Sequence, residues 1–337
     1  MRSLDFSRYA LTSCVAAAML AACRGSQLRL ASTRLAQSAT HVQWYGRLRL
    51  LSSVAPGRIP LSALWPSPVA PARLRTSPQL WYLSVTPSNV IPAYTLPGLK
   101  SVYAISSLSA PQGMCTIGKK TFWVANSGAD DLLEFSHRGT TPIKTLSVAG
   151  TQLASCAVDP TTGNIAAGTL YGAQVFVWKH ANGSPTPYSL PLPCELVYFE
   201  GYDGSADLFA DCFENNGHTG LYELPKNASA FESLSVNQSI GFPGGVQWDG
   251  KHLAVGDQGA APNAIYRFSC AKNTCTNEGT VSLEGTVDCV QGWIHKGIVV
   301  CDDYATGDAY VWQYPTGGSP FESITGVGSA IGSVIVR

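Results

Sequence analysis

Along residues 80–337 short apolar runs are separated by polar turns, and the runs return in a fixed order. A small-residue strand is followed by an Asp/Gly turn and a strand ending in Asn, Gly or Asp. An aromatic strand, a Gly/Ser/Pro turn and a short apolar strand complete the unit. The second strand reads Phe122-Trp123-Val124-Ala125-Asn126 and Ile165-Ala166-Ala167-Gly168. It returns as Leu208-Phe209-Ala210-Asp211, Leu253-Ala254-Val255-Gly256-Asp257 and Ile298-Val299-Val300-Cys301-Asp302. The end positions 126, 168, 211, 257 and 302 are 42, 43, 46 and 45 apart.

The third strand keeps the same register: Leu132–Phe135, Val175–Trp178, Leu221–Leu224, Ile265–Phe268 and Val311–Tyr314. Its β-branched and aromatic residues suit a pleated, half-buried surface. A fourth strand falls near Leu146, Leu190, Leu234, Leu283 and Ile324. Asp203-Gly204 and Asp249-Gly250 mark hairpins, because such turns need positive φ. Four strands per repeat at this period predict an all-β fold, the blades of a β-propeller.

Five units are complete and a sixth is split. Leu80–Ser84, Val90–Tyr94 and Val102–Ile105 match second, third and fourth strands, yet no first strand precedes them. The chain ends in Ile331-Gly332-Ser333-Val334-Ile335-Val336, a first strand with no unit after it. The expectation is a six-bladed β-propeller over 80–337, closed by residues 328–336 in the blade begun at Leu80. An open ring would leave unpaired edges.

Composition agrees with this picture. Charged residues make up 13% of the chain, against 33 glycines and 21 prolines, which is turn-rich β composition. Residues 1–23 differ. Arg2 and Arg8 precede an apolar run from Tyr9 to Ala22, and Leu20-Ala21-Ala22-Cys23 resembles a bacterial lipoprotein signal. The resemblance implies lipidation at Cys23 and a membrane anchor at the cell envelope; the alternative is an ordinary signal peptide cleaved near Ala22.

Residues 24–79 read as a basic, Pro-rich tether without sustained periodicity. A segment lying on anionic lipid is the other reading. The zero net charge conceals two halves: residues 1–129 hold 13 basic and 1 acidic residues, residues 130–337 hold 9 and 21. An acidic folded part argues against nucleic-acid binding.

Ten cysteines support export. Cys14 leaves with the signal, and Cys23 is the lipid site. Cys115, Cys156, Cys194, Cys212, Cys270, Cys275, Cys289 and Cys301 are disulfide candidates. Cys270 and Cys275 flank one turn. Cys289/Cys301 and Cys194/Cys212 fall on paired first and second strands, and Cys115/Cys156 on first strands of neighbouring units. Zinc would need two close ligand pairs, and only Cys270/Cys275 is close.

The stretch Cys156-Ala157-Val158-Asp159, Gly163–Gly168 and Val175–Trp178 resembles the NHL-repeat and gluconolactonase-like six-bladed propellers. The lactonase members of that group imply a divalent cation in the channel, held by oxygens from several blades. Asn126, Asp211, Asp257 and Asp302 at the second-strand ends, and Asp288 at a first-strand start, are the candidate ligands for Ca2+. Val85 and Gly168 occupy the equivalent slots elsewhere. The competing expectation is that these side chains accept turn backbone N–H groups, with no cofactor. No nucleophile elbow or phosphate loop is present. Two functions follow: a non-enzymatic scaffold binding a protein, peptide or glycan at one rim, or a metal-dependent lactonase/esterase-like hydrolase.

Overall fold

The computed structural model describes residues 79–117 and 120–337. The predicted signal segment with Cys23, and the predicted tether up to residue 78, lie outside the described residues.

The described chain is built from antiparallel four-strand meanders. The first joins β1 (Gln79–Val85), β2 (Ile91–Leu96) and β3 (Ser101–Ile105) with the chain's last strand, β24 (Ala330–Val336), in the order β24-β1-β2-β3. The second runs β4 (Pro111–Cys115), β5 (Thr121–Asn126), β6 (Asp131–Ser136) and β7 (Pro142–Ser147). The third runs β8 (Ala157–Val158), β9 (Ile165–Gly168), β10 (Gln174–Trp178) and β11 (Thr186–Ser189).

An eight-stranded sheet follows. It holds the meander β12 (Cys194–Tyr202), β13 (Leu208–Glu214), β14 (Thr219–Leu224) and β15 (Glu232–Val236). A second meander, β16 (Pro243–Trp248), β17 (Leu253–Asp257), β18 (Asn263–Ala271) and β19 (Thr274–Leu283), completes it. The two are fused at their outer strands, where β15 pairs parallel with β19 through Ser235↔Thr274 and Val236↔Cys275. The last meander is β20 (Trp293–His295), β21 (Ile298–Asp303), β22 (Asp308–Gln313) and β23 (Glu322–Ile324).

Both faces of the meanders are apolar, so each packs against its neighbours. Leu80, Tyr82 and Val334 of the first meet Phe122, Val124 and Phe135 of the second. Trp123 of the second meets Ile165 and Trp178 of the third, and Ala254 and Ile265 meet Val299 and Trp312. Trp178 and Trp312 are buried. Each such ring removes enough apolar surface from water to contribute about 2–3 kcal/mol. The third-strand aromatics thus pack between neighbouring sheets.

The C-terminal strand lies where the repeat pattern puts it. β24 pairs antiparallel with β1 from Leu80↔Val336 to Val85↔Ala330, and Trp81 Nε1 donates to Ser333 Oγ at 3.3 Å. Four disulfides are present: Cys115–Cys156, Cys194–Cys212, Cys270–Cys275 and Cys289–Cys301. They fit an oxidising compartment. One expectation needs adjustment. Asp288 and Cys289 lie in the loop before β20, not on a strand. The Cys289 N–H is taken by Asn263 Oδ1 of the preceding meander at 2.8 Å, so no ladder bond forms there.

Candidate functional site at the hub and strand ends

Each meander's first strand lies inward, and neighbouring inner strands bond directly. Gly113 N–H donates to Ala154 O at 2.9 Å and Gly245 N–H to Val290 O at 3.0 Å. Ser84 Oγ donates to Gln112 O at 2.5 Å. The Gln247 amide exchanges two bonds with the Ile294 backbone.

Gln291 goes further. Its Oε1 accepts from Met114 N–H at 2.9 Å, and its Nε2 donates to Met114 O at 2.8 Å. This pair links the last meander to β4, spanning the first meander between them. Gly332 of β24 permits the crossing, since a Cβ there would collide with Gln112 O and crowd Gln291 Oε1. The Gln291 amide thus passes directly over the inner strand of the first meander.

The strand-end residues do not share one orientation. Successive strand residues face opposite sides, so a shift of one residue moves a side chain to the other face. Asn126 and Asp257 face the preceding meander, on the same side as Val124 and Val255. Asp211 alternates with Ala210 and Cys212, which face the preceding meander, and so faces the next one; Asp302 alternates likewise with Cys301. The register divides the single slot read from the sequence into two.

The two classes behave differently. Asp257 is saturated: its carboxylate accepts from the N–H groups of Gly241, Phe242, Gly259 and Ala260 and from Tyr266 OH, at 2.8–3.2 Å. Asn126 Oδ1 accepts from Ser109 N–H at 2.6 Å, and its Nδ2 donates to Asp131 Oδ1 at 2.9 Å. Asp303, which the sequence reading passed over, belongs to this class. It accepts from the N–H groups of Val287, Ala305 and Thr306.

Asp211 and Asp302 are fully buried and poorly satisfied. Asp211 Oδ1 accepts from Phe199 N–H at 2.8 Å, and Asp302 Oδ1 from Ser333 Oγ at 3.5 Å. Neither Oδ2 makes a hydrogen bond, although the Gly244 N–H lies near enough to favour the charged form of Asp211. Burial is the main cause that raises both carboxyls well above the ordinary range. The charges of Glu200 near Asp211, and of Asp303 and Asp288 near Asp302, add to it.

Glu200 is the acid that sequence reading missed. It lies buried in β12, where Oε2 accepts from Ser155 Oγ at 2.5 Å and Oε1 from Gly168 N–H at 3.1 Å. A Cβ on Gly168 would come within 2.8 Å of Val197 Cγ1 and 3.0 Å of Glu200 Oε2. The glycine makes room for a neighbour's carboxyl. Burial pushes Glu200 up to about 8, against the lowering effect of its two donors. Among the described residues, no three His, Cys, Asp or Glu side chains are grouped to hold a metal ion.

The chain is similar in structure to a chain from the crystal structure of a nidogen/laminin complex. The TM-score is 0.60 at 12% identity, over 77% of this chain and 98% of that one. The fold is a β-propeller. No family model and no curated protein matches the chain. In a propeller, loops after first and third strands lie on one rim, and loops after second and fourth strands on the other. Asn126, Asp211, Asp257, Asp288, Asp302 and Asp303 therefore all belong to the second rim of this propeller.

Proposed function

We propose that this chain is an exported, lipid-anchored, six-bladed propeller of the NHL/gluconolactonase-like type, acting as a non-enzymatic scaffold that binds a partner on one rim. The count of six takes the eight-stranded sheet as two blades fused through β15 and β19. Four disulfides support export.

The observation that carries the scaffold reading is the direction of the strand-end acids, which turn to two different faces of their sheets. A channel hydrolase needs an open channel with oxygens converging on one point. Here Asp257 has its oxygens turned to loop N–H groups, and Asp211 and Asp302 face the opposite side of their sheets. The similar chain comes from a structure of a protein complex, in keeping with a propeller that assembles with a protein.

Two measurements test the reading. Wild-type protein should fractionate with membranes in a bacterial host, and Cys23→Ser should release it or stall its processing. Purified protein should hydrolyse no γ- or δ-lactone with or without calcium. Lactone turnover lost in Asp211→Asn would replace the scaffold with the hydrolase.

A further inference from the structure

The two rims of the propeller differ in charge. Among the described residues, nine lysines and arginines lie on the rim formed by loops after first and third strands: Lys100, Lys120, Arg138, Lys179, Lys226, Lys251, Lys272, Lys296 and the terminal Arg337. Lys144 and Arg267 lie within strands. The other rim carries no described lysine or arginine in any of its loops. Its accessible acids are Asp130, Asp131, Glu214, Glu284, Asp288 and Asp308. The lysine-bearing rim is mixed, since Asp159, Asp203 and Asp249 lie among its cations.

Two further features of the acidic rim bear on docking. Leu192, flanked by Pro191 and Pro193, is 81% exposed there, the most exposed large apolar side chain among the described residues, with Val287 at 43% and Tyr171 at 37%; Ile117 at 60% and Phe321 at 49% are exposed on the opposite rim. Behind the rim, Tyr198 OH, Asp211 Oδ2 and Asp302 Oδ2 are buried polar atoms without a hydrogen-bond partner. Tyr198 packs edge-on against Phe242 at 5.2 Å, and Phe242 lies 5.7 Å from Phe213.

We propose that this acidic rim docks a basic polypeptide, a partner protein presenting lysine or arginine side chains on a partly apolar segment. A rim with one sign of charge attracts the opposite sign and repels other acidic surfaces. Apolar side chains ringed by such charges supply contact area that steering alone does not.

The proposal rests on the scaffold reading, and its test can fail separately. The full chain is titrated by calorimetry with a peptide of about twenty residues, lysine-rich with one leucine in five, and with an oligoglutamate control. Saturable binding of the basic peptide alone is expected, falling at least tenfold between about 50 and 300 mM salt. The triple variant Glu214→Gln/Glu284→Gln/Asp308→Asn should weaken binding about tenfold. The opposite-rim variant Asp203→Asn/Glu232→Gln/Glu322→Gln should stay within about twofold. Leu192→Ser, at a position too exposed to unsettle the fold, should weaken binding without changing the salt slope.

Equal losses from both rims would overturn the proposal, as would binding of both peptides or neither. Binding that appears only after the arginines of residues 24–78 are changed to glutamine would assign the rim to the chain's own segment instead. In each negative case, absence of lactone turnover leaves the scaffold reading standing with a different ligand.

Discussion

Ser155 donates its hydroxyl proton to Glu200 at 2.5 Å across the junction between the sheet of β8 and the sheet of β12. With the Gly168 N–H on its other oxygen, the Glu200 carboxyl is a junction between blades, and its protonation state bears on their stability.

Glu200 makes stability fall as pH rises. Its folded pKa of about 8 lies above the unfolded value, so the native state binds more protons between the two. The contribution is full below about pH 4.5 and lost progressively up to about pH 8, amounting to about 5 kcal/mol at most. Buried Asp211 and Asp302, shifted the same way, add to the slope. Denaturant melts at pH 5 and pH 8 should show the protein more stable at pH 5, and Glu200→Gln should flatten the difference. An unchanged slope in Glu200→Gln would remove this assignment.

Ring closure depends on β24. Deleting residues 328–337 removes the partner of β1 and the Ser333 acceptor of Trp81. Cooperative unfolding should be lost, because β1 and β4 would then border a gap in the ring. Calorimetry or tryptophan fluorescence of the truncated protein checks this; an unaltered transition would contradict it.

The disulfides should not be equal. Cys115–Cys156 closes 41 residues and links neighbouring sheets, whereas Cys270–Cys275 closes five within one hairpin. Chain-entropy arguments give about 4 kcal/mol for the first and about 2 for the second. Pairwise Cys→Ser replacement followed by urea melts should rank them in that order.

Gln291→Leu tests the hub. The change strands Met114 N–H and C=O without partners, at a cost of about 2–4 kcal/mol. Gln291→Glu restores only the acceptor and should fall between the wild type and Gln291→Leu.

The fold was legible where side-chain chemistry repeats. The strands around Phe122, Val175, Leu253 and Val311 carry β-branched and aromatic residues at a steady period, and the structure has strands there. The orphan Ile331–Val336 strand revealed its partner because an edge must be covered. The site was less legible. Spacing counts residues but does not fix register, so Asp211 and Asp302 looked equivalent to Asn126 and Asp257, although a one-residue offset turns them to the opposite face. Asp303 was hidden beside Asp302 for the same reason. Glu200 gave no signal, because its role depends on the missing side chain of Gly168 on another strand. A glycine at a slot where other repeats carry Asn126, Asp211, Asp257 or Asp302 was the one available hint.

The central claim is that the strand-end acids are structural and that binding takes place on the rim. Calcium calorimetry on wild type and on Asp211→Asn, Asp257→Asn and Asp302→Asn tests it most directly. The account predicts no stoichiometric binding in any of the four, with Asp257→Asn losing stability as its N–H donors lose a charged acceptor. Tight one-to-one calcium binding by the wild type, abolished in any single variant, would contradict it.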